Sequence, residues 1–398
     1  MEIFAASVLI PMEGPPVDGG ALAVQQGRIA AAGPLADLRR GLPGAPVRHL
    51  EGCALLPPLV NAHAHLELTG LGPAPRSRSL VPWILEVVAL KRSAPEDAWA
   101  RAVGTGLGTC RRTGQGWVAD VVSAPGAAGG YRQASGAVRA FPEVIAAGEG
   151  RAEEAVAAAD ALAGRLGPRL GGISPHAPYT TCAGAYRAAR AWAERRGLQV
   201  MTHAAESPEE IEFCRTGGGP VADLLYRSLG MPPPEPPGLH PVDWLGRIGL
   251  LGPGTILVHA VHLGDDHPAL LARTGTGVVL CPRSNRRLSG GVAPGAALLR
   301  AGVRVGLGTD SALSAGSLDL WEDARAGMED YGWSPAEALR AATRGGAEVL
   351  GLGAVTGRFA RGLRADILAV PLGAGSSPWE RVLDGARAAG LWLAGLPA

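Results

Sequence analysis

A chain of 398 residues, 47% of them hydrophobic and with a formal net charge of +1, has room for one large barrel with an appendage or for two ordinary domains. The near-neutral balance leaves no long-range field to gather nucleic acid or to hold an anionic membrane surface, so neither is expected as a partner. The five cysteines (Cys53, Cys110, Cys182, Cys214, Cys281) are odd in number, scattered and never spaced C-x-x-C, which argues against a disulfide framework or a zinc ribbon. The first residues, Met1 to Pro11, carry Glu2 and no basic cluster. No apolar run approaches the length of a membrane span, and a soluble cytoplasmic protein is the expectation. Lys91 is the single lysine among 37 basic residues.

In chain order, Ala21 to Gly33 (ALAVQQGRIAAAG) alternates with period two around a central glycine and predicts a hairpin. Apolar, strand-like runs then follow at Ala54–His63, Trp117–Val122, Val138–Ile145, Leu170–Pro175, Gln199–His203, Ile256–His259, Gly277–Cys281 and Val303–Thr309. Helical stretches such as Ala183–Arg196 and Glu209–Cys214 separate most of them. About eight strands alternating with helices over roughly 250 residues predict an α/β fold, a (β/α)8 TIM barrel. A further β-like segment, Arg364 to Pro371, leaves material at both chain ends. The termini are therefore expected to build a small β-sandwich domain from 1–54 and 355–398 beside a barrel spanning 55–354. No G-x-G-x-x-G opens a helix after the first strand, so a doubly wound dinucleotide fold lacks its fingerprint. The Pro-rich stretch Met231–Pro241 reads as a semi-rigid surface loop.

Barrel enzymes carry their chemistry at the C-terminal ends of the strands. Those ends hold His63 and His65, His176, His203, His259 and Asp310. Two residues apart on a strand, His63 and His65 would present both imidazoles on one face and could share a divalent ion. Alone, an H-x-H pair is a weak signal. Glu206 follows His203 by three positions, where a helix N-terminus would also explain it. Asp310 ends VGLGTDS, whose glycines let the backbone turn sharply. Each residue has an ordinary structural explanation; their joint placement at successive strand ends does not.

The motifs VNAHAHLEL (Val60–Leu68), SPHAPYT (Ser174–Thr180), THAAES (Thr202–Ser207), LVHAVHL (Leu257–Leu263), CPRSN (Cys281–Asn285) and GTDS (Gly308–Ser311) resemble, in this order, those of the amidohydrolase superfamily. The likeness is to its purine and cytosine deaminase and chlorohydrolase branch. GLRADI (Gly362–Ile367) resembles the small β-domain in which that family ends. The resemblance implies that His63, His65, His203 and Asp310 ligate one Zn2+ or Fe2+ and leave a position open for water. Water held there would attack a small-molecule substrate with loss of ammonia. Asp310 would take the water proton, His259 would orient the attacking oxygen, and Glu206 would protonate the ring nitrogen and then serve the leaving amine. His176 would contact substrate, as would Glu67 (reaching a ribose hydroxyl from the strand face of His65) and Glu143 in FPEV. Arg283 and Asn285 would line or brace the site. Dinuclear branches of the superfamily bridge their ions with a carboxylated lysine at the fourth strand. That strand here ends in SPHAPY and Lys91 precedes the second strand, so a mononuclear centre is implied. The resemblance allows a homodimer.

HLELTGL followed by PWI (Pro82–Ile84) is similar to the aminodeoxyfutalosine deaminases of an alternative menaquinone pathway. This implies a 6-aminopurine nucleoside, 6-amino-6-deoxyfutalosine, as substrate. Methylthioadenosine and S-adenosylhomocysteine deaminases share SPHAPYT and CPRSN, and a chlorohydrolase or cyclic-amide hydrolase would use the same ligands. Ala315, where asparagine is common, and the Glu322-Asp323 pair depart from the branch pattern. A non-catalytic metal-binding scaffold would have no need of Glu206 and His259 around an open position.

Overall fold

The computed structural model describes residues 1–131 and 137–398. Eight parallel strands follow one another in sequence order: β1 (Leu59–Ala64), β2 (Gln115–Val122), β3 (Ala137–Val144), β4 (Gly172–Pro175), β5 (Gln199–Ala204), β6 (Thr255–His259), β7 (Gly277–Leu280) and β8 (Val305–Leu307). The last strand returns to the first. Thr309 N and Asp310 N donate to the carbonyl of His63, 3.1 and 3.2 Å away, and His65 N donates to Asp310 O at 3.1 Å. Outward-facing Leu257, Leu280 and Leu307 pack against helix residues such as Tyr186, Trp192 and Leu298, the burial that drives a sheet to accept helices on its outer face. This is the barrel expected from the alternation of strands and helices.

The first expected strand, Ala54–His63, is two strands. Val47–Leu56 belongs to a second sheet and β1 starts only at Leu59. Pro57 and Pro58 lie between them; proline cannot donate to a ladder, so the run of apolar residues breaks there. The second sheet is mixed and eight-stranded, formed from the segments Glu2–Leu9 to Val47–Leu56 together with Ile367–Pro371, Gly390–Leu393 and Leu396–Pro397. Its hydrogen bonding runs through all eight strands, with Phe4, Leu22, Leu55, Ile367 and Trp392 buried together. The predicted hairpin is present as Gly20–Gln25 and Arg28–Pro34. Trp117 on β2 donates its indole N–H to Asp366 at 3.1 Å, which ties the barrel floor to this sheet.

Two buried features set the spacing of β1 and β8. Asn61 donates to Gln115 Oε1 (3.0 Å) and Thr309 Oγ1 (2.8 Å) and accepts from Thr309 N (3.1 Å), a polar brace with its hydrogen bonds made. At Gly308 a Cβ would come within 2.8 Å of both His63 Cβ and His63 O, so only glycine allows the strands this close. Gly308→Ala should therefore destabilise the fold by about 1–3 kcal/mol and reduce the metal retained by the purified protein. A thermal melt and elemental analysis check this. An unchanged midpoint with full metal would show that the approach of the strands is not tight.

Candidate active site

The C-terminal strand ends bring the predicted histidines and carboxylates to one point. His63 Nε2 lies 3.3 Å from His203 Nε2 and 3.6 Å from Asp310 Oδ1. His65 Nε2 lies 3.4 Å from His203 Nε2 and 3.5 Å from Asp310 Oδ1. Ligand atoms about 2.0–2.1 Å from one tetrahedral ion are about 3.3–3.4 Å from each other, so each of these four pairs has the spacing of neighbours in one coordination sphere, and the atoms fall into two triads that share His63, His63–His65–Asp310 and His63–His203–His259, each within 4.8 Å. Their chemistry agrees. Burial pushes the His65 imidazole down to about 3 and lowers His63 and His203, which keeps all three rings neutral. The neighbouring imidazoles hold the Asp310 carboxyl well below the usual carboxylate range despite its burial. Neutral imidazoles and an ionised carboxylate are the forms that ligate.

Three of the four expected ligands are aimed by a further contact. The Nδ1–H of His203 donates to the carbonyl of His176 at 2.8 Å. Asp310 Oδ2 accepts from the hydroxyls of Ser284 (2.7 Å) and Ser314 (2.6 Å), leaving Oδ1 toward the histidines. His63 Nδ1 faces the sulfur of Met201 at 3.3 Å. The backbone is left-handed at Ala205 (φ 53°), His259 (φ 73°), Ala260 (φ 47°) and Asp310 (φ 55°). Such residues are uncommon outside glycine, and here they cluster at the ends of β5, β6 and β8, where strain is tolerated because neighbouring hydrogen bonds over-determine it.

Beside the expected ligands stand Glu206 and His259, the expected acid and base. Glu206 Oε1 is 3.6 Å from His259 Nε2. Burial and the Asp310 charge push Glu206 well above the ordinary carboxyl range, which favours its protonated form. His259 Nδ1 meets Asn285 Oδ1 at 2.8 Å; donating there, the ring carries its lone pair on Nε2, toward Glu206. His176 meets Thr180 Oγ1 through Nδ1 at 2.7 Å, and its ring lines the cavity. Glu206 itself is set by a residue that the sequence reading missed. Glu210, buried in helix α1 (Pro208–Thr216), accepts from Ala205 N (3.1 Å) and Glu206 N (2.7 Å) and so clamps the left-handed turn. Its spacing in AESPEE, at the start of a helix, was the available signal.

The cavity over this cluster has a volume of about 200 Å3 and is lined by His65, Glu143, His176, His203, Glu206, His259 and Asp310 on one side. Its other wall is apolar, with Trp83, Ile84, Val88, Ile145, Leu225 and Leu229 among its members. One expected contact is corrected. The chain leaves β1 at Ala64, and Glu67 sits in a 3-10 turn (Leu66–Leu68) instead of on the strand face. Its carboxylate accepts from Ser123 N and Ala124 N (3.0 Å each), Ser123 Oγ (2.5 Å) and Lys91 Nζ (2.9 Å), away from the cavity lining. Arg283 takes the bracing role, one of the two expected of it. Its guanidinium binds buried Asp323 (2.7 Å) and exposed Glu322, the pair that departs from the branch pattern, and braces the β7 and β8 loops. Asn285 acts on His259 and does not line the cavity. Lys91, which sequence distance set apart from the site, is brought to the cavity wall by the helix Leu80–Ser93.

A wider depression of about 880 Å3 near Arg215, Asp265 and Arg273 contains a second histidine group, His240 and His267 with Asp243. There each Nδ1 accepts a backbone N–H, from Val242 (3.2 Å) and Gly264 (2.8 Å). Each Nε2 therefore carries a proton, donated to His262 O (2.7 Å) and Asp243 Oδ1 (3.2 Å), so neither ring has a lone pair to give a metal. The chemistry belongs to the strand-end cluster.

A parallel barrel whose strand ends gather three imidazoles and a carboxylate around a buried glutamate has the architecture of a hydrolase. Residues 54–395 match the model of the amidohydrolase family, and the chain belongs to that family. It is accordingly a hydrolase acting on C–N bonds, and it is similar to deaminases. An aminodeoxyfutalosine deaminase of Deinococcus radiodurans is 36% identical over 359 residues, 85% of this chain and 83% of that protein. A 5-methylthioadenosine/S-adenosylhomocysteine deaminase of Nitratidesulfovibrio vulgaris is 30% identical over 372 residues, 89% of this chain and 80% of that protein. Among solved structures, a zinc-bound adenosine deaminase from Xanthomonas campestris superimposes with a TM-score of 0.81 at 27% identity, over 99% of this chain and 92% of that one. Helicobacter pylori aminofutalosine deaminase with methylthio-coformycin gives a TM-score of 0.89 at 20% identity over the whole of both chains, which shows the shared fold. Among the described residues no helix is long and apolar enough to cross a membrane.

Proposed function

We propose that this chain is a mononuclear zinc-dependent deaminase of a 6-aminopurine nucleoside, with 6-amino-6-deoxyfutalosine as its substrate. The observation that carries the reaction is the placing of Glu206 Oε1 3.6 Å from His259 Nε2 beside the expected ligands, where burial favours the protonated glutamic acid. His63, His65, His203 and Asp310 would hold the ion. When bound, it would supply Lewis-acid activation of water near neutral pH. His259 accepts a hydrogen bond from the attacking water and fixes its direction, and Asp310 takes the proton released. Glu206 gives its proton to the ring nitrogen beside the attacked carbon. As the C–N bond breaks, the amine leaves with the proton that Asp310 took from water and the hydroxyl proton on the attacked carbon returns to Glu206, so water and amine become the ring carbonyl and ammonia. His176 presents its Nε2 to the bound base. Three imidazoles and a carboxylate suit Zn2+.

Two observations support the finer substrate assignment. The relative at 36% identity deaminates aminodeoxyfutalosine by its name. The outer wall of Trp83, Ile84, Val88, Ile145, Leu225 and Leu229 suits an aromatic group on the sugar.

An ammonia-release assay over 6-amino-6-deoxyfutalosine, methylthioadenosine, S-adenosylhomocysteine, adenosine and cytosine should give the highest kcat/KM for the first. Adenosine turned over as well would overturn that assignment. Glu206→Gln should keep its metal and lose about 10^2- to 10^4-fold in kcat, because it removes proton transfer and no ligand. Near-normal kcat in this variant would refute the role given to Glu206.

A further inference from the structure

The cavity contains two polar groups that the reaction does not use. Lys91 Nζ donates to Glu67 Oε1 at 2.9 Å and to Ser123 Oγ at 2.6 Å. An ammonium has three donors, and among the described residues the third is unengaged. Glu67 is saturated by four donors and holds Lys91 in place. Glu143, at the end of β3, faces the same cavity. Its carboxyl is acted on by burial and by the charges of Lys91, Glu67 and His63, and by no hydrogen bond among the described residues. Both groups lie close enough to the ligand histidines for their charges to be felt there, Glu143 at His63 and Lys91 at His65.

We infer that Glu143 and Lys91 form a clamp for the vicinal diol of the substrate's ribose, which makes the enzyme selective for ribonucleosides over free bases and deoxy-sugars. This rests on the nucleoside reading above. The chemistry matches donor for acceptor. A cis-diol offers two O–H donors to a carboxylate, and its oxygens accept from an ammonium. Burial pushes Glu143 up to about 7, as expected of a carboxylate with no donor of its own, and two ligand hydroxyls would supply what it lacks. Lys91 cannot turn away, because Glu67 and Ser123 take its other two protons. The clamp also explains why the one lysine of the chain is spent inside the active-site cavity, with Glu67 as its anchor.

The test compares adenosine with 2′,3′-dideoxyadenosine, both in the range where rate is proportional to substrate. Wild-type enzyme should lose about 10- to 100-fold in kcat/KM when the hydroxyls are removed, the worth of hydrogen bonds to charged groups. Glu143→Ala should turn over both nucleosides at nearly the same rate, with metal content unchanged. Lys91→Met should shrink the discrimination in the same direction. Should Glu143→Ala fold poorly, the isosteric Glu143→Gln, which keeps one acceptor oxygen, is expected to retain part of it. Equal losses on both nucleosides in the Glu143 variants would place the carboxylate against the base or in the framework and overturn the clamp. So would full discrimination retained. Turnover by wild type with no preference for the hydroxyls overturns the clamp alone; no turnover of any aminopurine nucleoside takes the proposed function down with it.

Discussion

The carbonyl oxygen of His63 accepts from both Thr309 N and Asp310 N, and the geometry of the site follows from that contact. It draws β8 against β1 and sets Asp310 Oδ1 3.5–3.6 Å from the Nε2 atoms of His65 and His63. The approach is possible because Gly308 has no side chain and because Asn61 ties Thr309 to β1 with two hydrogen bonds. A ligand from the last strand can then meet ligands from the first, although 247 positions separate Asp310 from His63. The left-handed backbone at Asp310 turns the carboxylate inward, and Ser284 and Ser314 hold its outer oxygen. A carboxylate anchored on one oxygen and free on the other is poised to ligate without rearranging.

The same logic governs the reacting side. β5 and β6 also end in left-handed turns, at Ala205 and at His259–Ala260. Glu210 clamps the first by two backbone N–H groups, and Ala205 O in turn accepts from Val261 N and His262 N at 2.9 Å each. Glu206 and His259 are thus positioned through backbone contacts between adjacent strand ends. Burial then sets their protonation, raising the glutamate and lowering the histidine. The proposed acid and base would be set apart by environment.

Much of this was legible in the sequence, for a physical reason. Strand ends in a parallel barrel all emerge on one face, so polar residues read off the last position of each apolar run share a neighbourhood before any contact is known. His63, His203, His259 and Asp310 could be placed that way. The failures were of direction. Glu67 looked like a continuation of the His63–His65 face, but the strand stops at Ala64 and its side chain turns to Ser123 and Lys91. Lys91 sat far from every strand end in the sequence and only the packing of its helix brings it to the cavity. Side chains carried in by helices and loops obey no period that would reveal their aim. The proline pair at Pro57 and Pro58 was the missed signal for the break between the two sheets.

The central claim is that four strand-end side chains hold one ion and that deamination requires it. Stepwise reconstitution of the chelated protein tests this most directly, with bound metal and ammonia release followed together. The account predicts that activity is absent without metal and rises in proportion to bound Zn2+ until one equivalent per chain is reached. Activity that persists in the chelated protein, or that appears only with a second tightly bound equivalent, would contradict it.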